Sequence, residues 1–301
     1  MATNRKIEEG QEHIREAEKC LKTGLLKWKP DFEGASIEFG KAAIAFKNAK
    51  AYDQAIASYM KQADVQKQTG SVFHAAKAVE AAALLHKEAG DLSKAADFIE
   101  QASTMYLEHG TPDTAIVVLE RAAKMLEPTL PDRAVKLYMK ACDVAEAEDR
   151  IQQCGEMSGK AGRVLIRMKM YDEAATAVKK EIDLYNQADT KGLINKLVMG
   201  LVLIHLHRAD FVAADQAFRN CLGYAGFAES DEARPIERLL EAYDAGDQQA
   251  ADSIVKSPLF KFMENDFTKL ARDLKVPGGR EKTEMGSARN ENEEDYEGGL
   301  L

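Results

Sequence analysis

The histidines and cysteines are the residues of this chain whose types could support metal binding or nucleophilic catalysis. His205 and His207 lie two residues apart, and side chains at that spacing on a helix point about 200° away from each other. They therefore cannot share a metal ion. Cys154 lies on a polar helical segment with no histidine nearby in the sequence, which leaves a thiol nucleophile without its base.

The usual motifs of enzymes are missing from the sequence. It contains no P-loop and no GxGxxG, GxSxG or HExxH motif. Glu293 and Glu294 form an acidic pair, but they lie in a polar tail where nothing would tune a carboxyl pKa for acid–base work. We predict that the protein is not an enzyme and has no cofactor, no metal and no small-molecule substrate.

Residues 159–170, GKAGRVLIRMKM, concentrate positive charge in a chain whose formal net charge is −9. Lys160, Arg163 and Arg167 recur at spacings of three and four residues, which places them in one stripe on a single helix. Such a stripe is either an ordinary solvated helix face or a docking surface for an acidic helical partner. The sequence leaves both interpretations open.

Residues 24–33, GLLKWKPDFE, place apolar and basic side chains next to each other in a segment that ends at a proline. The stretch contains the single tryptophan of the chain together with two leucines and two lysines, namely Leu25, Leu26, Lys27, Trp28 and Lys29. Apolar groups interleaved with lysine are suited to shallow contact with an anionic membrane surface. The alternative is a helix end that packs beneath the first pair of helices.

The composition indicates helices throughout the 301 residues. Hydrophobic residues make up 45% of the chain and there are only 7 prolines, which favours helix and a large core. The acidic balance argues against nucleic acid as a partner. No segment is predicted to be a signal peptide or a transmembrane helix, so we expect a cytoplasmic protein. The four cysteines show no CxxC pair, and we expect them to be reduced thiols.

An internal repeat predicts the architecture. Gly70, Gly90 and Gly110 lie 20 residues apart, each after a helix-patterned segment. Alanines follow short turns at intervals of one or two helices: Ala55, Ala95, Ala115, Ala134, Ala174, Ala214 and Ala250. We predict an all-α fold in which antiparallel hairpins of the tetratricopeptide type stack into a right-handed superhelix and a C-terminal helical bundle follows.

The repeat pattern fades towards the end of the chain, which suggests three parts. We predict a helical-hairpin solenoid over residues 1–225 and a C-terminal helical bundle over residues 226–275. Residues 276–301 are rich in glycine, glutamate and asparagine, and we expect a disordered acidic tail that ends in Leu300 and Leu301.

These features together resemble one protein family. The stretches that carry the resemblance are LKTGLLKWKPDFEGASIEFGKAA, GTPDTA, LVLIHLHRADFVAA, SPLFKFMENDFTKL and VPGG. They are similar to the soluble N-ethylmaleimide-sensitive-factor attachment proteins (SNAPs), and most similar to the gamma type. The resemblance implies an adaptor that binds SNARE complexes, which are helical bundles of the syntaxin type, along the concave face of the solenoid. It then recruits and stimulates NSF, a hexameric AAA ATPase, for SNARE disassembly in vesicle fusion and intracellular protein transport, including transport between endoplasmic reticulum and Golgi.

The resemblance also assigns roles to particular positions. Lys160 matches a basic SNARE contact of the family, and Arg163 and Arg167 are expected to add to it. Positions near Thr111 and Val117 have lost a basic residue. Glu241, Asp244, Leu300 and Leu301 match positions that contact the ATPase, and Leu25 to Lys29 match a loop that touches the bilayer. We expect a peripheral membrane protein that is monomeric in isolation, with several copies around one SNARE bundle.

Other functions remain alternatives. A tetratricopeptide-like scaffold of another multiprotein complex would share the fold but would not need the apolar loop or the leucine-ended tail. An RNA-processing repeat protein would need a basic concave face, which the negative charge disfavours. An enzyme would need a group of catalytic residues that the sequence does not show.

Overall fold

The computed structural model describes residues 2–23 and 28–278, and over these ranges every regular element is a helix. The helices are α1 (Ala2–Leu21), α2 (Phe32–Asn48), α3 (Tyr52–Gln68), α4 (Val72–Glu88), α5 (Leu92–Glu108), α6 (Pro112–Leu126), α7 (Pro131–Ala147), α8 (Ile151–Arg167), α9 (Tyr171–Gln187), α10 (Lys191–His207), α11 (Phe211–Cys221), α12 (Ala233–Asp244), α13 (Gln248–Val255), α14 (Pro258–Lys261) and α15 (Asn265–Asp273). None of them is long and apolar enough to cross a membrane.

Successive helices pack as hairpins, so the predicted all-α fold of repeating helical hairpins is confirmed. Helices α2 to α10 are 15 or 17 residues long, and alternate helices begin about 40 residues apart. The turn alanines that defined the repeat are buried from Ala55 to Ala214, whereas Ala250 is only partly buried. Gly162 shows why small residues are needed in the facing helix, because a Cβ there would lie 3.0 Å from Val178.

The residue type in the turns differs along the chain, although most turns between the repeated helices share a left-handed residue. Glycine takes the left-handed backbone conformation in the turns at Gly70, Gly90 and Gly110, and again at Gly246 after α12. The equivalent turns elsewhere use residues that carry a Cβ, namely Lys50, Asp149, Lys169, Asp189 and Ala209. Each of these costs roughly 1 kcal/mol relative to glycine, so the packed helices on either side impose the turn.

The C-terminal helices pack against the preceding hairpins. Phe267 of α15 lies against Gly200 of α10, where a Cβ would come within 2.5 Å of the ring. The Tyr243 hydroxyl of α12 donates a hydrogen bond of 2.9 Å to the carbonyl of Leu206. One continuous apolar core therefore runs from α8 and α9 into α12 and α15. The predicted acidic tail falls largely on residues 279–301, which lie outside the described residues.

Candidate functional site

Lys160 lies on α8 between two carboxylates. Its Nζ is 2.5 Å from Glu120 Oε1, which comes from α6, and 2.6 Å from Glu156 Oε1 one turn earlier on α8. Burial alone would lower the pKa of Lys160, but the hydrogen bonds to Glu120 and Glu156 outweigh burial and raise it. Lys160 therefore stays charged, and its charge is balanced within the protein.

Arg163 faces the interior of the protein. Its side chain is only 11% exposed, with Nε 2.6 Å from Glu264 Oε2 and Nη1 2.8 Å from Glu181 Oε2. The guanidinium lies 4.4 Å from the centre of the Phe267 ring. The three basic residues of α8 therefore do not form one open stripe, because the middle one is buried against two carboxylates and an aromatic ring. SNARE contact at these residues stays a prediction.

Arg167 connects α8 with two other parts of the chain. Its Nη2 lies 2.6 Å from Glu127 Oε2, just after α6, and its Nη1 lies 2.6 Å from Asp266 Oδ2 in α15. Glu127 also accepts a hydrogen bond of 2.6 Å from the Tyr138 hydroxyl. Arg167 is more exposed than Arg163, but both of its terminal nitrogens, Nη1 and Nη2, form ion pairs.

The even-numbered helices α2, α4 and α6 expose apolar side chains at equivalent repeat positions. Ile44 and Leu84 are 40 residues apart, Ile37 and Val117 are 80 residues apart, and all four are exposed. The spacing between Ile37 and Ile44 is two helical turns, so the two positions lie on one side of the helix. We include Lys160 of α8 because its side chain pairs with Glu120 of α6. We call the surface formed by Ile37, Ile44, Leu84, Val117 and Lys160 the even-helix face.

A cleft between α11 and α12 is rimmed by acidic side chains. It has a volume of about 280 Å³ and an apolar floor that includes Phe218 and Leu240. The carboxylates of this cleft belong to Asp215, Glu237, Glu241 and Asp244. We call it the acidic cleft. Arg219 pairs with Asp215 at 2.6 Å.

The other three carboxylates of the acidic cleft are not balanced in this way. Glu237, Glu241 and Asp244 are exposed, and across residues 2–23 and 28–278 no cation forms an ion pair with them. The structure thus brings Glu241 and Asp244 together on one surface and adds Asp215 and Glu237, which sequence reasoning missed. The i, i+4 and i, i+3 spacing of Glu237, Glu241 and Asp244 on α12 was the available signal for Glu237, whereas Asp215 lies on α11.

Trp28 projects from the connection between α1 and α2. It is 86% exposed, and Lys29 is exposed beside it. The connection is anchored where it enters α2, because the Asp31 amide donates to the Cys20 carbonyl at 2.9 Å and the Asp31 carboxylate caps Gly34. Trp28 therefore does not pack beneath the first hairpin. The other predicted membrane residues, Leu25, Leu26 and Lys27, lie outside the described residues.

His205 and His207 contact different groups of the protein. His207 Nε2 lies 2.7 Å from the Leu270 carbonyl, and His205 Nδ1 lies 3.1 Å from Arg208 Nη1. Burial, followed by the positive charge of Arg208, lowers the pKa of His205. The two rings therefore have different partners.

Three of the four cysteines are buried free thiols: Cys142, Cys154 and Cys221. Burial raises the pKa of Cys154 to about 12, which keeps it a neutral thiol and a poor nucleophile. Sequence reasoning missed that Cys142 and Cys154 meet Glu146 across the α7–α8 hairpin. Their distance of 12 residues gives no local signal, because only the fold of the hairpin brings them together.

Comparison with known proteins decides the family. The family model described as "Soluble NSF attachment protein, SNAP" matches residues 8–262. The chain belongs to the SNAP family. SNAPs are adaptors and not enzymes, so the predicted lack of enzymatic activity is confirmed.

Two SNAP relatives match over most of their length. Gamma-soluble NSF attachment protein of Dictyostelium discoideum is 27% identical over 276 residues, which cover 92% of this chain and 85% of the relative. The protein of the same name from Arabidopsis thaliana is 28% identical over 261 residues, covering 87% of this chain and 90% of the relative. The crystal structure of BtubC (BKLC) from P. vanneervenii matches 81% of this chain and 94% of its own, at 16% identity and a TM-score of 0.37.

Membership of the SNAP family supports a general role in attaching NSF and handling SNARE proteins during vesicle transport. Within this SNAP, Lys160, Glu241 and Asp244 all lie at the surface or close to it. Arg163 is the exception among the described site residues, since it is buried between α8, α9 and the start of α15. The predicted ATPase contacts Leu300 and Leu301 lie outside the described residues.

Proposed function

We propose that this SNAP binds a SNARE bundle on its even-helix face and presents the acidic cleft to NSF, so that NSF can take the bundle apart. The observation that carries the proposal is the acidic cleft. Glu237, Glu241 and Asp244 have no cationic partner among residues 2–23 and 28–278. A partner with lysine or arginine side chains would relieve their mutual repulsion.

The acidic cleft combines two properties of a docking surface. Uncompensated carboxylates at its rim attract a basic partner from a distance and raise the rate of association. Its apolar floor, which includes Phe218 and Leu240, offers area that a partner can bury. Val212, an exposed apolar residue of α11, lies one residue after Phe211 of the cleft lining. We assign this surface to NSF, with Leu300 and Leu301 as further contacts.

The even-helix face would bind a SNARE partner mainly through apolar contacts and less through charge. Lys160 already has two carboxylate neighbours, and Val117 is an exposed apolar residue. A long-range attraction to an acidic bundle is therefore weak here, whereas Ile44, Leu84 and Val117 provide area that a helical partner can cover. Arg167 and Lys160 supply the remaining positive charge, and Arg163 positions the helices beneath them.

A membrane contact completes the proposed arrangement. Trp28 and Lys29 are exposed in the connection between α1 and α2, where an aromatic ring can enter the headgroup region and lysine can meet anionic lipid. We assign Leu25, Leu26 and Lys27 to the same contact. The protein then acts on the cytoplasmic side as a peripheral membrane protein, with several otherwise monomeric copies around one SNARE bundle.

Retention of NSF on immobilised protein tests the proposal. In the presence of a non-hydrolysable ATP analogue, we expect the double variant Glu241→Lys and Asp244→Lys to retain much less NSF than the native protein, and removal of residues 300–301 to reduce retention further. The matched control reverses two exposed acidic residues elsewhere, Asp64→Lys and Glu108→Lys, and should retain NSF normally.

A second assay connects binding with function. Disassembly of a defined SNARE bundle by NSF, with this protein as the sole adaptor, should fall in the cleft variant and not in the control. Equal retention of NSF by the cleft variant and the native protein would contradict the proposal and favour a scaffold for a different complex.

A further inference from the structure

Cys142, Glu146 and Cys154 form a compact group of metal-ligating side chains. Cys142 and Glu146 lie one turn apart on α7, and Cys154 lies in the first turn of α8, across the connection at Asp149. The two sulfurs and a carboxylate oxygen all lie within 4.8 Å of one another. Cys154 Sγ is 4.0 Å from Glu146 Oε2. We call these three residues the thiol–carboxylate triad.

We propose that the thiol–carboxylate triad binds one thiophilic divalent metal ion of the Zn²⁺ class, with water as a fourth ligand. Cysteine sulfur and carboxylate oxygen are both ligands that zinc takes in proteins. Ligand atoms around a tetrahedral zinc ion lie roughly 3.5 to 4 Å apart, given Zn–S and Zn–O distances of about 2.3 and 2.1 Å. The spacing of the triad is close to this value, so small side-chain rotations suffice to enclose an ion.

A positive charge already lies against the triad. Lys180 of α9 places its Nζ 2.7 Å from Glu146 Oε2. The ammonium competes with a metal ion for the carboxylate. On binding, each thiol loses its proton to solvent, the metal bonds to both sulfurs and to Glu146, and Lys180 moves away.

The triad has a route to solvent. Glu146 is exposed and the Lys180 side chain is partly exposed, so both can move without disturbing the core. Cys142 and Cys154 are fully buried, so an ion would have to enter from the side of Glu146 and Lys180.

Metal binding at this position would cross-link two consecutive helices. Cys142 and Glu146 belong to α7 and Cys154 to α8, so the ion would close the hairpin near its turn. Anything that binds the folded chain in preference to the unfolded chain raises its stability by mass action. The inference does not depend on the adaptor role, since it rests on side chains away from the acidic cleft.

Titration of the full chain with Cd²⁺ and Zn²⁺ tests the inference. We expect one Cd²⁺ per chain, seen through the thiolate-to-cadmium absorption band, and one Zn²⁺ per chain in competition with a chromophoric chelator. The double variant Cys142→Ala and Cys154→Ala should lose both signals. The control Cys221→Ala removes a buried cysteine outside the triad and should bind as the native protein does.

Two surface variants keep the test valid if the double alanine variant fails to fold. Glu146→Gln removes one ligand and should weaken Zn²⁺ binding at least tenfold. Lys180→Gln removes the competing ammonium and should tighten binding several-fold. Binding that is equal in native, Glu146→Gln and Lys180→Gln proteins, or that persists without Cys142 and Cys154, would overturn the inference.

Discussion

Arg163 and Glu264 are 101 residues apart in the chain, yet their side chains meet at 2.6 Å between Nε and Oε2. Arg163 comes from the middle of α8, and Glu264 directly precedes α15. The same guanidinium contacts Glu181 of α9 and covers the ring of Phe267. The contact therefore joins the repeated hairpins to the C-terminal helices, and Arg163 acts in positioning them.

At pH 8, where Glu181 is ionised, Arg163→Ala should lower the free energy of unfolding by roughly 3 to 5 kcal/mol, because it leaves that carboxylate buried without its cation. Chemical denaturation followed by circular dichroism measures this loss. The control is Arg219→Ala, which breaks a solvent-exposed pair with Asp215 and should leave the free energy of unfolding nearly unchanged. Equal losses in the two variants would contradict a joining role for Arg163.

Stability should depend on pH through Glu181. Burial raises its pKa to about 7, against the opposing effect of Arg163, while Glu264 and Glu156 add to the rise. Between pH 4.5 and 7 the folded state therefore keeps a proton on Glu181 that the unfolded state has released. The contribution of Glu181 to the free energy of unfolding is complete below pH 4.5 and is lost as the pH rises towards 7.

Glu181→Gln isolates this contribution. Because Gln does not titrate, the difference in unfolding free energy between native protein and variant should change by roughly 2 to 3 kcal/mol between pH 4.5 and pH 8, with the native protein losing stability relative to the variant. Denaturation curves at a series of pH values measure it. A difference that stays constant across this range would show that Glu181 keeps the same charge throughout.

Gly200→Ala should destabilise the attachment of α15. The new Cβ would lie 2.5 Å from the Phe267 ring, which must shift, and overpacking of this kind costs about 1 to 3 kcal/mol. Gly192→Ala on the same helix is the control, since nothing lies within 4 Å of its Cβ. That change should be neutral or slightly stabilising, because alanine favours helix. Thermal unfolding of both variants compares them directly.

The repeat could be predicted from the sequence because its signals are local. Each turn alanine and each left-handed glycine is recognisable from its neighbours within one or two helices. The turn at Asp149 gives neither signal, because no turn alanine follows it and packing, not glycine, imposes its left-handed backbone. The period of the repeat therefore indicated a helix here even though the turn gave no local signal.

The candidate site could be predicted only in part. The spacing of Lys160, Arg163 and Arg167 places them on one helix, but it does not show which elements pack across that helix. Glu264 lies too far along the chain for any local pattern to reveal that it covers Arg163. The acidic cleft is different, because Glu241 and Asp244 are neighbours on α12 and their proximity follows from helical spacing alone.

Trp28→Ser should reduce binding to anionic liposomes without lowering stability. Trp28 is 86% exposed, so its removal costs the folded protein little, whereas a tryptophan in the membrane interface contributes apolar contact. Flotation with liposomes of anionic or neutral composition measures binding. Phe262→Ser is the matched control, because Phe262 is another exposed aromatic residue but lies on the C-terminal segment. Equal loss in both variants would contradict a specific contact at Trp28.

Ile44→Ser combined with Leu84→Ser should weaken binding of a SNARE bundle to the even-helix face. Covering each side chain stabilises a complex by about 1.5 kcal/mol or more, so the double variant should bind about 100-fold less tightly. Because apolar contacts are not screened, this loss should be similar at low and moderate salt, whereas the effect of Lys160→Glu should shrink as salt rises. Val212→Ser changes an exposed apolar residue of α11 and should leave SNARE binding unaltered. Pull-down with a preassembled bundle at two salt concentrations separates these outcomes, and undiminished binding of the double variant would place the SNARE contact on another surface.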